Sequence, residues 1–419
     1  MNLPETKSPS THHYAAGIVL LAAAGAFALT MGVRQSMGLF LFNLNTSTGL
    51  GIASISLAFA FGQLWWGLVQ PFAGIVADRI GAGRVIFTGI LMVAVGTVLI
   101  PYMTTTLGLI FAIGVLAAGG AGMAGPSVMM AATTRLIPLE KRGMATGIVN
   151  AGGSFGQFLF APLAAGITAL AGWAVAMQTL GLMTLLALPA AWILRGNSQH
   201  LAAATSATMP KQTTGAAIRL ALADPSYRML SVGFFVCGFH VAFIATHLPG
   251  VVDSCGLPPS VGAWSWSVVG LFNIIGSLGM GWLLSWRGGL WRMKSLLSLV
   301  YAARGVAVVI FLLSPKTEAV FLVFAAVIGL TYLSTVPPTI GLVAKFFGQA
   351  NLATLFGVVM LAHQLGAFLG AYLGGKAFEW TGNYNWMWYA DIMLAVGAAL
   401  VHLPIREALP QRAPATVRA

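Results

Sequence analysis

Apolar residues run along this 419-residue chain in long blocks, without the alternation of a half-buried strand. About 20 mainly apolar residues cross a bilayer as a helix. The blocks predict twelve such spans. The first six are Ala16–Phe42, Ala53–Ala77, Val85–Tyr102, Leu107–Met130, Gly143–Ile167 and Trp173–Leu194. The second six are Met229–Val252, Val261–Ser285, Ser295–Leu313, Ala319–Ile340, Leu355–Phe378 and Trp386–Leu403. Between them lies a polar stretch, 195–228. The pattern therefore predicts an all-α integral membrane protein with a tail 1–15, a six-helix bundle 16–194, a linker 195–228, a second six-helix bundle 229–404 and a tail 405–419. The linker can hold a short amphipathic helix but no catalytic domain.

Composition agrees. The chain is 58% hydrophobic and 7% charged, with mean hydropathy +0.87, whereas a soluble domain carries about 25% charged residues. The N-terminal stretch "MNLPETKSPSTHHYAA" shows no small-residue cleavage site, so the first apolar block is expected to stay as a span. The net charge of +12 would suit a nucleic-acid partner until its placement is read. With an even number of spans, seventeen Lys and Arg residues fall on the side of the termini, and only Lys316 and Lys376 fall on the other. That asymmetry places both termini in the cytoplasm and removes the nucleic-acid reading. Two arginines, Arg34 and Arg304, lie inside spans. Cys237 sits in an apolar block and Cys255 in a short loop, which gives no disulfide framework.

A shift of 210 residues lays the fourth and fifth spans on the tenth and eleventh. Gly119 meets Gly329, Arg135 meets Lys345, Gly147 meets Gly357, Gly156 meets Gly366, and Phe158-Leu159 meets Phe368-Leu369. A constant offset indicates duplicated halves, which would leave a cavity between two similar bundles and suit alternating access.

After the second span comes "GIVADRIGAGRVI" (74–86), with Gly74, Asp78, Arg79, Gly81 and Arg84 in the pattern G-x-x-x-D-R-x-G-x-x-R. Gly74 would let a neighbouring helix approach. Asp78, at a helix end, can reach a helix N-terminus or an arginine, so the contact would act as a conformational latch. The pattern resembles the signature loop of the major facilitator superfamily, whose fold packs twelve helices in two bundles. Ala82 and Gly83 stand where that family often has basic residues. A second copy, "GWLLSWRGGLWRMK" (281–294), has Ser285 in place of the acid, which predicts a weaker latch in the second half.

Narrower cues resemble the monocarboxylate and oxalate/formate carriers: "GVRQSMGLF" in the first helix, "EKRGMATGIVNAGGSFGQFLFAPL" in the fifth, and "FIATHLPGVVDSCGLPPSVGA" at the seventh. Many of those carriers place a second anion-binding arginine on the eighth helix. Here that helix has none, and Asn273, its polar member, is the candidate substrate contact on it. The resemblance therefore implies a single-carboxylate or other organic-anion substrate rather than a two-point dicarboxylate clamp.

Arg34 is the sharpest candidate. A basic side chain in the middle of an isolated span costs about 2.5–3.5 kcal/mol, so it needs a partner, water or a ligand. With Gln35 beside it and Gly38 one turn on, it would meet a carboxylate in a forked geometry; otherwise it would snorkel or pair with an acid of the other bundle. His240 and His247, seven apart, share roughly one helix face. Either would carry a coupled proton or pack by a hydrogen bond, and His247 near Pro249 would also suit a gate. His363 and Gln364 are candidates to face the cavity. Trp65, Trp66, Trp264 and Trp266 would line the cavity or anchor at the interface. Arg304 and Asp391 are expected to form a structural ion pair; Asp391 as a proton site is the alternative.

No phosphate-cradling loop, metal-ligand spacing or nucleophile elbow occurs. The expected protein is a secondary transporter and not an enzyme, without cofactor or metal. It would move a small organic anion by proton symport or anion exchange, as a monomer among inner-membrane lipids. Its rivals are a proton-coupled exporter of drugs or other hydrophobic compounds, and a membrane sensor that binds a substrate without moving it.

Overall fold

A computed structural model describes residues 16–136, 142–195, 214–285, 292–348 and 352–407. Every element among them is helical. The spans are α1 (Ala16–Thr48), α2 (Ile52–Ile80), α3 (Ala82–Tyr102), α4 (106–136), α5 (Arg142–Ala171), α6 (Trp173–Ile193), α7 (Pro225–Ser254), α8 (Pro259–Ser285), α9 (Met293–Leu313), α10 (Glu318–Phe347), α11 (Leu352–Thr381) and α12 (Asn385–His402). Among the described residues, eleven helices are long and apolar enough to cross a membrane. The twelfth, α12, has 18 residues, and Asn385, Asp391 and His402 dilute its apolar run. A short helix, Thr214–Ala223, precedes α7 and packs on α7 and α11. The tail 1–15, most of the linker (196–213), the segment 286–291 of the second loop copy and the end of the C-terminal tail lie outside the described residues.

The helices form two bundles of six, α1–α6 and α7–α12. Within the first, α1 packs on α5, α2 on α4, and α3 on α4 and α6. Within the second, α7 packs on α11, α8 on α10, and α9 on α12 and α10. The repeat is visible in the backbone. Helices α5 (142–171) and α11 (352–381) begin and end 210 residues apart, both 30 residues long. Helices α4 and α10 are each interrupted and resume at Pro126 and Val336, again 210 apart. The Gly156–Gly366 match has a packing cause. A Cβ on Gly156 would overlap the Ala28 carbonyl oxygen of α1, and one on Gly366 would overlap the Phe235 carbonyl oxygen of α7. Small residues here let helix backbones meet, which is how helices associate without a hydrophobic drive between them.

Both ends of the described chain lie on one side, here the terminal side; the opposite is the far side. The bundles join from mid-membrane to the far side. Ala60 of α2 packs with Ala367 and Ala371 of α11 and Ala242 of α7. Gly38 of α1 is pressed on the Ala245 carbonyl of α7, and Gly375 of α11 on Ser56 of α2. Phe42 meets Phe378 edge-on, centroids 5.7 Å apart.

One boundary differs with consequence. Helix α1 continues beyond Phe42 to Thr48 although "NLNTST" is polar. The hydroxyls of Thr46, Ser47 and Thr48 donate back to carbonyls of Phe42 and Leu44, which satisfies them inside the helix. Arg34 therefore stands near the middle of α1.

Candidate functional site

Arg34 lies at the seam of the two bundles and is partly buried. Its Nη2 donates to Gln63 Oε1 on α2 at 2.5 Å. Its guanidinium carbon sits 4.7 Å from the centre of the Trp66 ring, one turn along the same helix. Across the seam, Tyr332 of α10 is within electrostatic reach and carries Trp266 edge-on at 5.9 Å. Among the described residues no carboxylate pairs with Arg34. The Trp66 indole N–H is buried without an acceptor. The site thus presents a fixed positive charge and more donors than acceptors, an arrangement that fits an anion. Just beyond it α1 tightens into a 3-10 turn at Met37–Phe40, and Gly38 meets Ala245, which closes the path toward the far side. Beyond that closure a cleft of about 860 Å³ opens between α1, α5, α7 and α8, lined among others by Phe42, Asn43, Asp253 and Trp264.

Gln364 belongs to the same arrangement. Its Nε2 donates to the Gln63 carbonyl, its Oε1 lies 2.8 Å from His363 Nδ1, and Gly67 makes room for it. Gln63 therefore holds Arg34 by its side chain and Gln364 by its backbone. Gln35 is half-buried and adds no hydrogen bond. Asn273 is placed elsewhere. It donates to Ser154 Oγ of α5 at 2.9 Å and accepts from Leu333 N at 3.2 Å and Ser277 Oγ at 3.3 Å. These bonds join α8 to α5 and to the break in α10. His247 is also a packing residue here: its Nε2 is 2.8 Å from the Ala371 carbonyl, against Gly374 of α11.

The two intramembrane charges of the second bundle are near each other but not directly paired. Asp391 faces His240, Oδ1 to Nε2 3.1 Å, both fully buried. Arg304 instead donates to the Thr331 carbonyl, to the Tyr332 carbonyl at 3.3 Å and to Cys237 Sγ at 3.9 Å. The reason is the α10 interruption, which frees two carbonyls for a buried guanidinium. Both cysteines are free, and Cys237 Sγ lies 3.3 Å from Thr335 Oγ1.

The 74–84 loop sits on the terminal side. Asp78, Arg79 and Arg84 are exposed. Gly81, at φ 98°, makes the turn between α2 and α3. Gly74 differs from the expected close approach: a Cβ there would meet nothing within 4 Å. Gly83 does pack closely, on the Ala191 carbonyl of α6 and on Arg195 just after it, so a basic side chain does not fit at that position. In the second bundle an acid comes from outside the loop copy. Glu407 accepts from Lys294 N at 2.7 Å and lies 3.4 Å from Lys345 Nζ.

Gln63 and Tyr332 escaped the sequence reading, and Cys237 entered it only as a cysteine without a disulfide framework. The glutamines Gln63 and Gln70 in an apolar span and a tyrosine close before "STVPPT" were the available signals.

The family model described as Major Facilitator Superfamily matches residues 19–371. The chain is 24% identical over 393 residues to rat "Monocarboxylate transporter 13", covering 92% of this chain and 88% of that protein. It is 25% identical over 349 residues to mouse "Monocarboxylate transporter 11", 81% and 76% respectively. A solved bacterial homologue of the human lysosomal transporter Spinster, in an inward-facing and occupied conformation, superposes with TM-score 0.68 at 16% identity, over 94% of each chain.

Proposed function

The chain belongs to the Major Facilitator Superfamily of transporters, and on that premise we propose that its cargo is a small organic anion, a monocarboxylate. It moves the anion across the cell inner membrane by alternating access, in proton symport or anion exchange, as a monomer with both termini in the cytoplasm.

One observation carries this reading: a permanently charged guanidinium held at the seam of the bundles by Gln63 and Trp66, with no carboxylate paired to it among the described residues. The substrate carboxylate takes the free Arg34 donors, and the Trp66 N–H adds a further one. Tyr332 and Gln364 approach from the second bundle, so closure of the bundles and loading of the site involve the same residues. The absence of a basic residue on α8 favours one carboxylate over two. The 24–25% identity to named monocarboxylate transporters supports the class. The exporter alternative needs an acid against its cargo, and Asp391 is instead buried against His240.

Counterflow in proteoliposomes tests the proposal. Vesicles loaded with an unlabelled monocarboxylate should take up the labelled form faster than protein-free vesicles. Dicarboxylates and lipophilic cations should not substitute. Exchange of lipophilic cations alone would transfer the protein to the exporter reading, and ligand binding without flux to the sensor reading.

A further inference from the structure

A second set of buried ionisable groups lies in the α7–α12 bundle, and the anion site does not use it. His240 of α7 and Asp391 of α12 are both 0% exposed. One ring nitrogen and one carboxylate oxygen face each other at 3.1 Å. Neither ring nitrogen of His240 and neither carboxylate oxygen of Asp391 makes a hydrogen bond. Ionisable side chains at this depth are costly and tend to mark ion paths or proton relays. A pair that only packed two helices would be cheaper as apolar residues.

We propose that His240 and Asp391 form the proton-binding site of this transporter, and that the interruption of α10 ties it to the anion at Arg34. The proposal rests on the carboxylate reading above. One proton in the N···O gap leaves Asp391, His240 and Arg304 with a summed charge of zero. A second proton, on Nδ1 or Oδ2, raises the sum by one. A carboxylate at Arg34 lowers the charge of the core by one, so each cargo favours the other. The proton enters from water on one side and leaves to water on the other; no other bond is made or broken.

The link is structural. Arg304 lies within electrostatic reach of both members of the pair. It also holds the Thr331 and Tyr332 carbonyls at the α10 break. The Tyr332 side chain lies within electrostatic reach of Arg34, and its hydroxyl donates to the Val241 carbonyl, next to His240, at 3.3 Å. A polar path runs back to the seam through Cys237, His363 and Gln364. The titratable groups around the pair are Arg304 and Tyr301 of α9, Cys237 of α7, Tyr332 of α10, His363 of α11 and, stacked on Tyr301, His402 of α12. Helix α8 brings none.

The test uses full-length protein in proteoliposomes with labelled lactate and pyruvate, and protein-free vesicles as the baseline. A one-unit pH gradient supports about tenfold accumulation per coupled proton. Wild type should approach that ratio and also perform counterflow. Asp391→Asn should keep counterflow and lose the pH-driven accumulation, with a ratio falling to that of protein-free vesicles. His240→Gln should keep counterflow and shift the pH at which accumulation is half-maximal. Retained pH-driven accumulation in Asp391→Asn overturns the proposal. Loss of both activities in both variants marks the pair as structural and also overturns it. A wild type without counterflow on any monocarboxylate overturns the substrate reading instead, so the two failures are distinguishable.

Discussion

Replacing Asn273 with alanine probes how the bundles are joined. Its Oδ1 accepts from the Leu333 N–H at the α10 break, and its Nδ2 donates across the seam to Ser154. The hydroxyls of Ser154 and Ser277 can turn to carbonyls of their own helices. The Leu333 N–H has lost its helical partner at the break. Leaving a buried N–H unsatisfied costs about 1–3 kcal/mol. An interhelical side-chain hydrogen bond in a membrane averages about 0.6 kcal/mol. Together these predict a loss of about 2–4 kcal/mol. Thermal unfolding of the purified variant should show a melting temperature several degrees below wild type, while carboxylate affinity changes by less than about threefold, or roughly 0.7 kcal/mol. Unchanged stability with a loss of affinity above about tenfold would refute this reasoning and make Asn273 a ligand.

Gly366→Val should destabilise by about 1–3 kcal/mol through overlap with the Phe235 carbonyl, whereas Gly74→Ala, with no neighbour, should stay within about 0.5 kcal/mol of wild type; melting curves compare the two. Glu407→Gln removes the carboxylate that holds the α9 start and Lys345 and should speed hydrogen exchange at the terminal-side ends of α9 and α10, with unchanged exchange counting against a clamp. Burial holds the Tyr384 phenol above its ordinary range, with Asp253 adding to the effect. The folded state then keeps a proton that the unfolded chain gives up near pH 10, so stability should fall as pH rises through about 10 and upward. Tyr384→Phe should flatten that alkaline fall in the melting temperature.

The bundle architecture was readable because its cause is local: unbroken apolar length makes a span, and the 210-residue offset recurs in the ends of α5 and α11. Arg34 was readable because an isolated charge in lipid demands a reason. Its partners were not. Gln63 and Tyr332 lie on other helices, and only the packing of the helices brings Gln63 against Arg34 and Tyr332 within its electrostatic reach. The expected Arg304–Asp391 pairing assumed that neighbouring opposite charges meet. The freed carbonyls at the α10 break draw Arg304 away, and a break that depends on tertiary packing leaves only "STVPPT" as its sign. Likewise Asn273 looked like a cavity residue because it is the polar member of an apolar helix; its bonds to Ser154 and Leu333 depend on contacts between elements far apart in the chain.

The central claim is that Arg34 sits in the membrane to meet a carboxylate. The most direct measurement is thermal stabilisation of purified wild type and Arg34→Gln across monocarboxylates, dicarboxylates and lipophilic cations. A ligand at a hundred times its dissociation constant adds about 2.7 kcal/mol to the folded state. The account predicts stabilisation of wild type by a monocarboxylate and none in a folded Arg34→Gln. Equal stabilisation of both proteins, or stabilisation by cations alone, would contradict it.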